Sequence, residues 1–159
     1  MKLSQAREAA LVDNQRLREP PSRETRIMSD TDPWSGKETV LVAEDETPVR
    51  ELICDVLRLH GYTVLEARNG EEALQIAERH QGLIHLLIVD VVMSGLTASS
   101  LVERLTADRP GAKAFYISGY TDELIRQHGL LRSGKNFLQK PFTVDALART
   151  VREVLDAAS

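Results

Sequence analysis

Four apolar runs in this 159-residue sequence end in groups that bind cations or handle phosphoryl oxygens. Thr39–Ala43 runs into Glu44-Asp45-Glu46, Leu86–Val89 into Asp90, Ala114–Ile117 into Ser118-Gly119, and Asn136–Gln139 into Lys140-Pro141. Gathered in one place, they set three or four carboxylates beside one hydroxyl and one ammonium. Two carboxylates about 4 Å apart repel by roughly 4 kcal/mol at an effective dielectric near 20, so such a set needs a counter-ion. Mg²⁺ is a suitable one, because it takes carboxylate and carbonyl oxygens and completes its octahedron with water. A Mg²⁺ site beside a lysine and a hydroxyl suits phosphoryl transfer: cation and ammonium neutralise the phosphoryl oxygens while a carboxylate attacks phosphorus. Asp90, alone at the end of its run, is the expected nucleophile. Glu44 and Asp45 are expected to hold the metal, and Lys140 and Ser118 the phosphoryl group. Gly119 is expected to let that group approach the backbone.

Taken singly, each residue is ordinary. Acidic residues after a strand are usually solvated, a lone Asp often caps a turn, and Lys-Pro often begins one. The four histidines (His60, His80, His85, His128) share no metal-ligand spacing and read as surface or helix-end residues, and Cys54 as a half-buried, inert thiol. Only the coincidence at successive strand ends is specific, and it depends on the elements that carry these residues.

Those elements follow from periodicity. Thr39–Ala43 is a strand. Thr47 reads as an N-cap with Pro48 at the first helical position, and Val49, Leu52, Ile53, Val56 and Leu57 share one helical face up to His60-Gly61. Tyr62–Ala67 is a second strand. Asn69 caps a helix carrying Ala73, Ile76 and Ala77, with Glu72 placed as in a capping box. Leu86–Val89 is a third strand. Thr97 or Ser99 opens a helix burying Ala98, Leu101, Val102 and Leu105, and Pro110-Gly111 ends it. Ala114–Ile117 is a fourth strand, and a short helix capped by Thr121 closes at Gly129. Asn136–Gln139 is a fifth strand. Thr143 caps a last helix with Val144, Leu147, Ala148, Val151 and Leu155 on one face. Five strand–helix units with nearly unbroken apolar strands predict an α/β fold: a doubly wound five-stranded parallel sheet covered on both faces. Ligands of such sheets sit beyond the carboxyl ends of the strands.

Composition bounds the rest. Apolar residues make up 42% and charged residues 28%, with 20 Lys+Arg against 24 Asp+Glu and a net charge of −4. Direct nucleic-acid binding is not expected of a mildly acidic chain. One cysteine excludes an internal disulfide and fits a reducing compartment. No apolar run approaches the roughly 18 residues of a membrane span and no signal peptide is evident, so a cytoplasmic protein is expected. Residues 1–37 carry seven cations, six anions and Pro20-Pro21. They read as a flexible segment and linker, with a docking helix over 1–19 or a start at Met28 as the competing reading.

The stretches VLVAEDE, LLIVDVVM, FYISGYTD and FLQKPF resemble the motifs of the response-regulator receiver domain of two-component signalling. The resemblance covers residues 38–157, and SGYTD…FLQKPF with the GKETVLVAEDE lead-in is similar to receivers of hybrid sensor kinases. It implies a flavodoxin-like (βα)5 fold with strand order 2-1-3-4-5. It further implies Asp90 as phosphoacceptor, Glu44 and Asp45 as the acidic pair, and Val92 giving its main-chain carbonyl to Mg²⁺. Ser118 takes the switch-hydroxyl position, Lys140 that of the family's lysine, and Phe137 that of the switch aromatic, while Lys140-Pro141 is often cis in relatives. Val92 and Tyr120 would flank the approach of a hydrolytic water. The implied donor is a sensor histidine kinase or a histidine phosphotransfer protein, and the implied readout is an unidentified downstream protein. No enzyme activity beyond self-phosphorylation and dephosphorylation is implied, and no output domain is expected after Ser159. Two positions depart from the family pattern. Ser94 stands where a proline is usual, and Ala98 where a glycine is usual and would be strained if the backbone there had positive φ.

Four other readings compete. A flavin carrier shares the strand order but needs phosphate donors after strand one, where Glu44-Asp45-Glu46 would repel phosphate. An aspartate-nucleophile phosphatase usually has a second acid two residues on, where this chain has Val92. The alternatives within the fold are a non-phosphorylated interaction module and the detached receiver of a hybrid kinase.

Overall fold

A computed structural model describes residues 32–119 and 137–157. The elements run β1 (Thr39–Ala43), α1 (Thr47–Leu59), β2 (Thr63–Ala67), α2 (Gly70–Arg79), β3 (Leu86–Asp90), α3 (Ala98–Asp108), β4 (Lys113–Ser118), β5 (Phe137–Gln139) and α4 (Val144–Asp156). All strand pairs are parallel, and the sheet has the order β2-β1-β3-β4-β5. This is the doubly wound fold expected from the sequence. The helix expected between Thr121 and Gly129, Asn136, His128 and residues 1–31 lie outside the described residues.

The strands are apolar without interruption because each feeds two cores. Successive side chains point to opposite faces. Val40, Val42, Leu86, Ile88, Phe115 and Ile117 pack with Leu52 and Ile53 of α1 and Leu147 and Val151 of α4. Their neighbours Leu41, Ala43, Leu87, Val89 and Tyr116 pack with Ala73 and Ala77 of α2 and Leu101 and Leu105 of α3. Each fully buried Leu, Ile, Val or Phe side chain contributes about 1.5–3 kcal/mol, so β1 and β3 at the centre anchor the molecule. Cys54 lies fully buried in the first core, deeper than its expected half-buried place. Burial, then Glu66, pushes its thiol up to about 12, which keeps it inert.

The helix starts follow the expected chemistry with two corrections. Asn69, Thr97 and Thr143 accept hydrogen bonds from Glu72 N, Ser100 N and Ala146 N. At α1 the N-cap is Glu46, not Thr47, and its side chain makes no capping bond, which leaves Pro48 as the second helical residue. The Glu46 carboxylate is turned toward Lys140 instead. At α2 the Glu72 carboxylate accepts from Arg68 N at 3.1 Å rather than closing the capping box on Asn69. Ala98 opens α3 with no positive φ, so the strain conditional on that geometry does not arise; in this loop Gly95 has the positive angle, φ +83°.

Residues 32–37 make several bonds to the body of the domain. The Asp32 carboxylate pairs with His60 Nδ1 at the end of α1, and Gly36 N donates to His60 O at 3.0 Å. Tyr62 Oη donates to Trp34 O at 2.9 Å, and Arg152 of α4 donates to Ser35 O at 3.2 Å. Gly61 has φ +96°, and a Cβ there would lie 2.7 Å from Gly36 O, so this junction needs glycine on both counts.

Candidate functional site

β1, β3 and β4 end side by side, and the loop after β5 passes close to them, so the strand-end residues converge. Asp90 is the last residue of β3 and pairs in register with Ile117 of β4. The sheet therefore fixes its backbone, and Val92 N fixes its carboxylate by donating to Oδ1 at 3.0 Å. Val91 N donates to Ile117 O at 2.9 Å and continues the ladder to the end of the strand. Lys140 is placed by its own N–H, which donates to Ser118 O at 2.8 Å, and its bond to Pro141 is cis. The Lys140 Nζ then lies 3.2 Å from Asp90 Oδ2, 3.3 Å from Glu44 Oε2 and 3.3 Å from Glu46 Oε1.

The adjacent acids of the first loop are not equivalent. Glu44 is 1% exposed, tied by its N–H to Ala67 O at 3.1 Å, whereas Asp45 is exposed. One carboxylate oxygen from each of Glu44, Asp45 and Asp90 falls within a 4.8 Å cluster. Ser118 is fully buried at the end of β4. A Cβ at Gly119 would meet Lys140 Cβ at 3.8 Å, an ordinary contact, so the packing there does not demand glycine. Val92 is 42% exposed, with its side chain away from the cores. Phe137, in register with Tyr116, is half-buried against the α2–α3 core. The structure thus brings Glu44, Asp45, Asp90 and Lys140 together, sets Ser118 beside Lys140 through the backbone, and leaves Phe137 on one face of β5.

Two site residues had no assigned role in the sequence. Glu46 belongs to the acidic triplet, and its carboxylate joins the lysine. Arg50 is buried one turn into α1 and donates from Nη1 to Glu44 O at 2.9 Å, holding the end of β1. Its signal was position: four residues after Glu46, it is carried by the first helical turn back toward the strand end.

Three carboxylates share one ammonium here. Burial raises Glu44 above the ordinary carboxylate range, and the nearby Asp90 charge adds to the rise; Lys140 and the Glu46 N–H offset only part of it. Burial pulls Lys140 down, but Glu44, Asp90 and Glu46 outweigh it and hold the ammonium above its ordinary value. Glu44 Oε2 is buried and accepts no hydrogen bond, although it lies 3.3 Å from Lys140 Nζ. A buried oxygen with no donor, within a cluster of three carboxylates, matches the ligand set of a hard divalent cation.

The sequence model of the response regulator receiver domain matches residues 40–152. The chain is 35% identical over 148 residues to the sensor kinase CckA of Brucella abortus, covering 92% of this chain and 16% of that protein. It is 29% identical over 117 residues to a cyclic di-GMP phosphodiesterase of Thermotoga maritima, covering 74% of this chain and 31% of the relative. The chain therefore spans under a third of either relative. Among solved structures, the receiver domain of the hybrid histidine kinase CckA superposes with a TM-score of 0.62 at 39% identity, covering 74% of this chain and 99% of that one. A CheY-like receiver from Methanospirillum hungatei JF-1 superposes with a TM-score of 0.67 at 24% identity, covering 76% and 95%, which speaks to the fold alone. Among the described residues, no helix is long and apolar enough to cross a membrane.

Proposed function

Because this chain belongs to the response regulator receiver domain family of two-component systems, we propose that it accepts a phosphoryl group on Asp90. The observation that carries this reading is the Lys140 ammonium 3.2 Å from the buried Asp90 carboxylate, with Glu44 and Asp45 oxygens clustered beside it. An Asp90 oxygen forms the new bond to phosphorus as the donor's bond breaks, and the leaving group departs with the electron pair. Lys140 balances charge on the phosphoryl oxygens. Glu44, Asp45, Asp90 and the main-chain carbonyl of Val92 would hold Mg²⁺, which would supply positive charge between the carboxylate and the phosphoryl group. The Asp90 carboxylate is oriented before reaction by Val92 N, so little reorganisation is left for the transfer itself.

The donor is a sensor histidine kinase or a histidine phosphotransfer protein. Ser118 and Phe137 act as the switch: the hydroxyl turns to the phosphoryl oxygens, and the ring moves into the space it leaves. A downstream protein reads the change on the β5–α4 side. Self-catalysed phosphorylation and dephosphorylation are the only chemistry, and the setting is the cytoplasm. The receiver proper begins near residue 38, and residues 32–37 are bonded onto it. Similarity to a fraction of a sensor kinase favours, as a second reading, that this receiver works as a module of a hybrid kinase.

Incubation with acetyl phosphate and Mg²⁺, read by intact mass, tests the proposal. One added phosphoryl group is expected, absent in Asp90→Asn and after chelation. Phosphorylation of Asp90→Asn, or indifference to chelator, rejects it.

A further inference from the structure

We infer that Glu46 is a displaceable counter-ion of Lys140, which occupies the ammonium before phosphorylation and must leave it when Asp90 is phosphorylated. The inference rests on the phosphoacceptor reading above and assigns a positioning role to a residue outside it. Lys140 Nζ donates to Asp90 Oδ2 at 3.2 Å and to Glu46 Oε1 at 3.3 Å, and lies 3.3 Å from Glu44 Oε2. Asp90 and Glu46 take two of the three donors of the ammonium, with Glu44 Oε2 at ion-pair distance from it. A phosphoryl group on Asp90 adds charge and acceptor oxygens that need the same donors.

The phosphoryl oxygens then compete with Glu46 and Glu44 for the ammonium, and exposure decides which of the two can give way. Asp90 itself then carries the phosphoryl group, and the Glu44 side chain is 1% exposed, so parting Glu44 from Lys140 strands a carboxylate away from water. The Glu46 side chain is 33% exposed and can rehydrate as it turns outward. Its backbone need not move. Glu46 N donates to Glu44 Oε1 at 3.1 Å, and Glu46 O accepts from Arg50 N at 2.9 Å, so only side-chain torsions change. Nor does α1 lose anything, because Glu46 caps that helix with its backbone and not with its carboxylate. Glu46 thus keeps Lys140 extended over Asp90 while competing with the incoming group for it.

The test compares the wild-type chain with Glu46→Gln and with Glu51→Gln, which removes an exposed charge from α1. Acetyl phosphate is the donor at saturating Mg²⁺. As the Asp90 oxygen–phosphorus bond forms, the acyl oxygen–phosphorus bond breaks, and acetate leaves with the electron pair. Glu46→Gln is expected to raise the initial rate about two- to five-fold, the scale of one partly exposed ion pair, and Glu51→Gln to leave it near wild type. A second readout is the ¹⁵N resonance of Lys140 Nζ. Glu46→Gln should shift it in the unphosphorylated, metal-free protein and leave it at the wild-type position once Asp90 is phosphorylated. Equal rates in wild type and Glu46→Gln, a slower Glu46→Gln, equal acceleration by Glu51→Gln, or a resonance difference that persists after phosphorylation overturns the role of Glu46 and leaves Asp90 as acceptor. Failure of every variant and the wild type to gain a phosphoryl group on Asp90 overturns both readings.

Discussion

The Lys140 ammonium and the Asp90 carboxylate lie 3.2 Å apart although 50 residues separate them in sequence. Nearly all of both side chains is removed from water, at 6% and 2% exposure. A pair this buried is not held for stability, since desolvating two ions costs about as much as their attraction returns. Two further carboxylates, Glu44 and Glu46, each 3.3 Å from the same ammonium, add mutual repulsion to that cost.

Asp90→Asn should therefore stabilise the metal-free protein, by about 0.5–2 kcal/mol, the usual scale on which functional sites trade stability for function. Urea unfolding in chelator should show a higher midpoint for the variant. Added Mg²⁺ should narrow the gap, because it stabilises the wild-type site and loses one of its ligands in the variant. A lower midpoint in chelator would mean that the Lys140–Asp90 attraction exceeds the repulsion among the acids.

Arg152 of α4 ties that helix to the residues just before β1. Its guanidinium meets Glu38 at 2.6 and 3.2 Å, Asp156 at 2.8 and 3.1 Å, and Tyr62 Oη at 3.2 Å. Arg152→Ala should cost about 1–3 kcal/mol, the scale of hydrogen bonds to charged groups, and Arg152→Lys should recover little of it, having no planar fork. Arg152 holds the Glu38 carboxyl below its ordinary 4.5. A depressed carboxylate contributes stability that is present above 4.5 and lost as pH falls through the lower folded value. The deficit of Arg152→Ala against wild type should thus be constant near neutrality and shrink below about pH 4.5. A deficit unchanged through that range would assign the loss to packing of the arginine stem.

The start of the folded unit is open to direct measurement. A chain beginning at residue 38 loses the Asp32–His60 pair and the bonds from Tyr62 to Trp34 and from Arg152 to Ser35. It should be less stable than one beginning at residue 32 by about 1–3 kcal/mol, the worth of two or three such bonds. Equal unfolding midpoints would place the boundary at 38.

Val92 bears on the lifetime of the phosphorylated state. Its side chain is exposed beside Asp90 and offers no polar atom to orient a water. Val92→Asn supplies one, and pre-placing a nucleophile removes part of the entropic barrier. Phosphate release, followed after the donor is removed, should be faster in the variant by a few-fold or more. Release no faster than wild type would move attention to the loop at Ser94.

The sequence alone determined the elements, their order and the residues at the strand ends. Helix and strand periods, Asn69, Thr97 and Thr143 as caps, and the unbroken apolar strands all report local backbone geometry, which is set within a few residues. The α/β alternation then constrained the sheet strongly enough to place Glu44, Asp45, Asp90, Ser118 and Lys140 at one edge. Tertiary structure alone decided how those groups face one another. Nothing in the Glu44-Asp45-Glu46 run distinguishes a buried acid from an exposed one, because a loop side chain points wherever distant neighbours leave room and charge. The Glu46 carboxylate leaves the helix it precedes for a lysine 94 residues away. Arg152 finds Glu38 across 114 residues, and Asp32 finds His60 across 28. Such pairs form only after the sheet is assembled, and no periodicity along the chain encodes them.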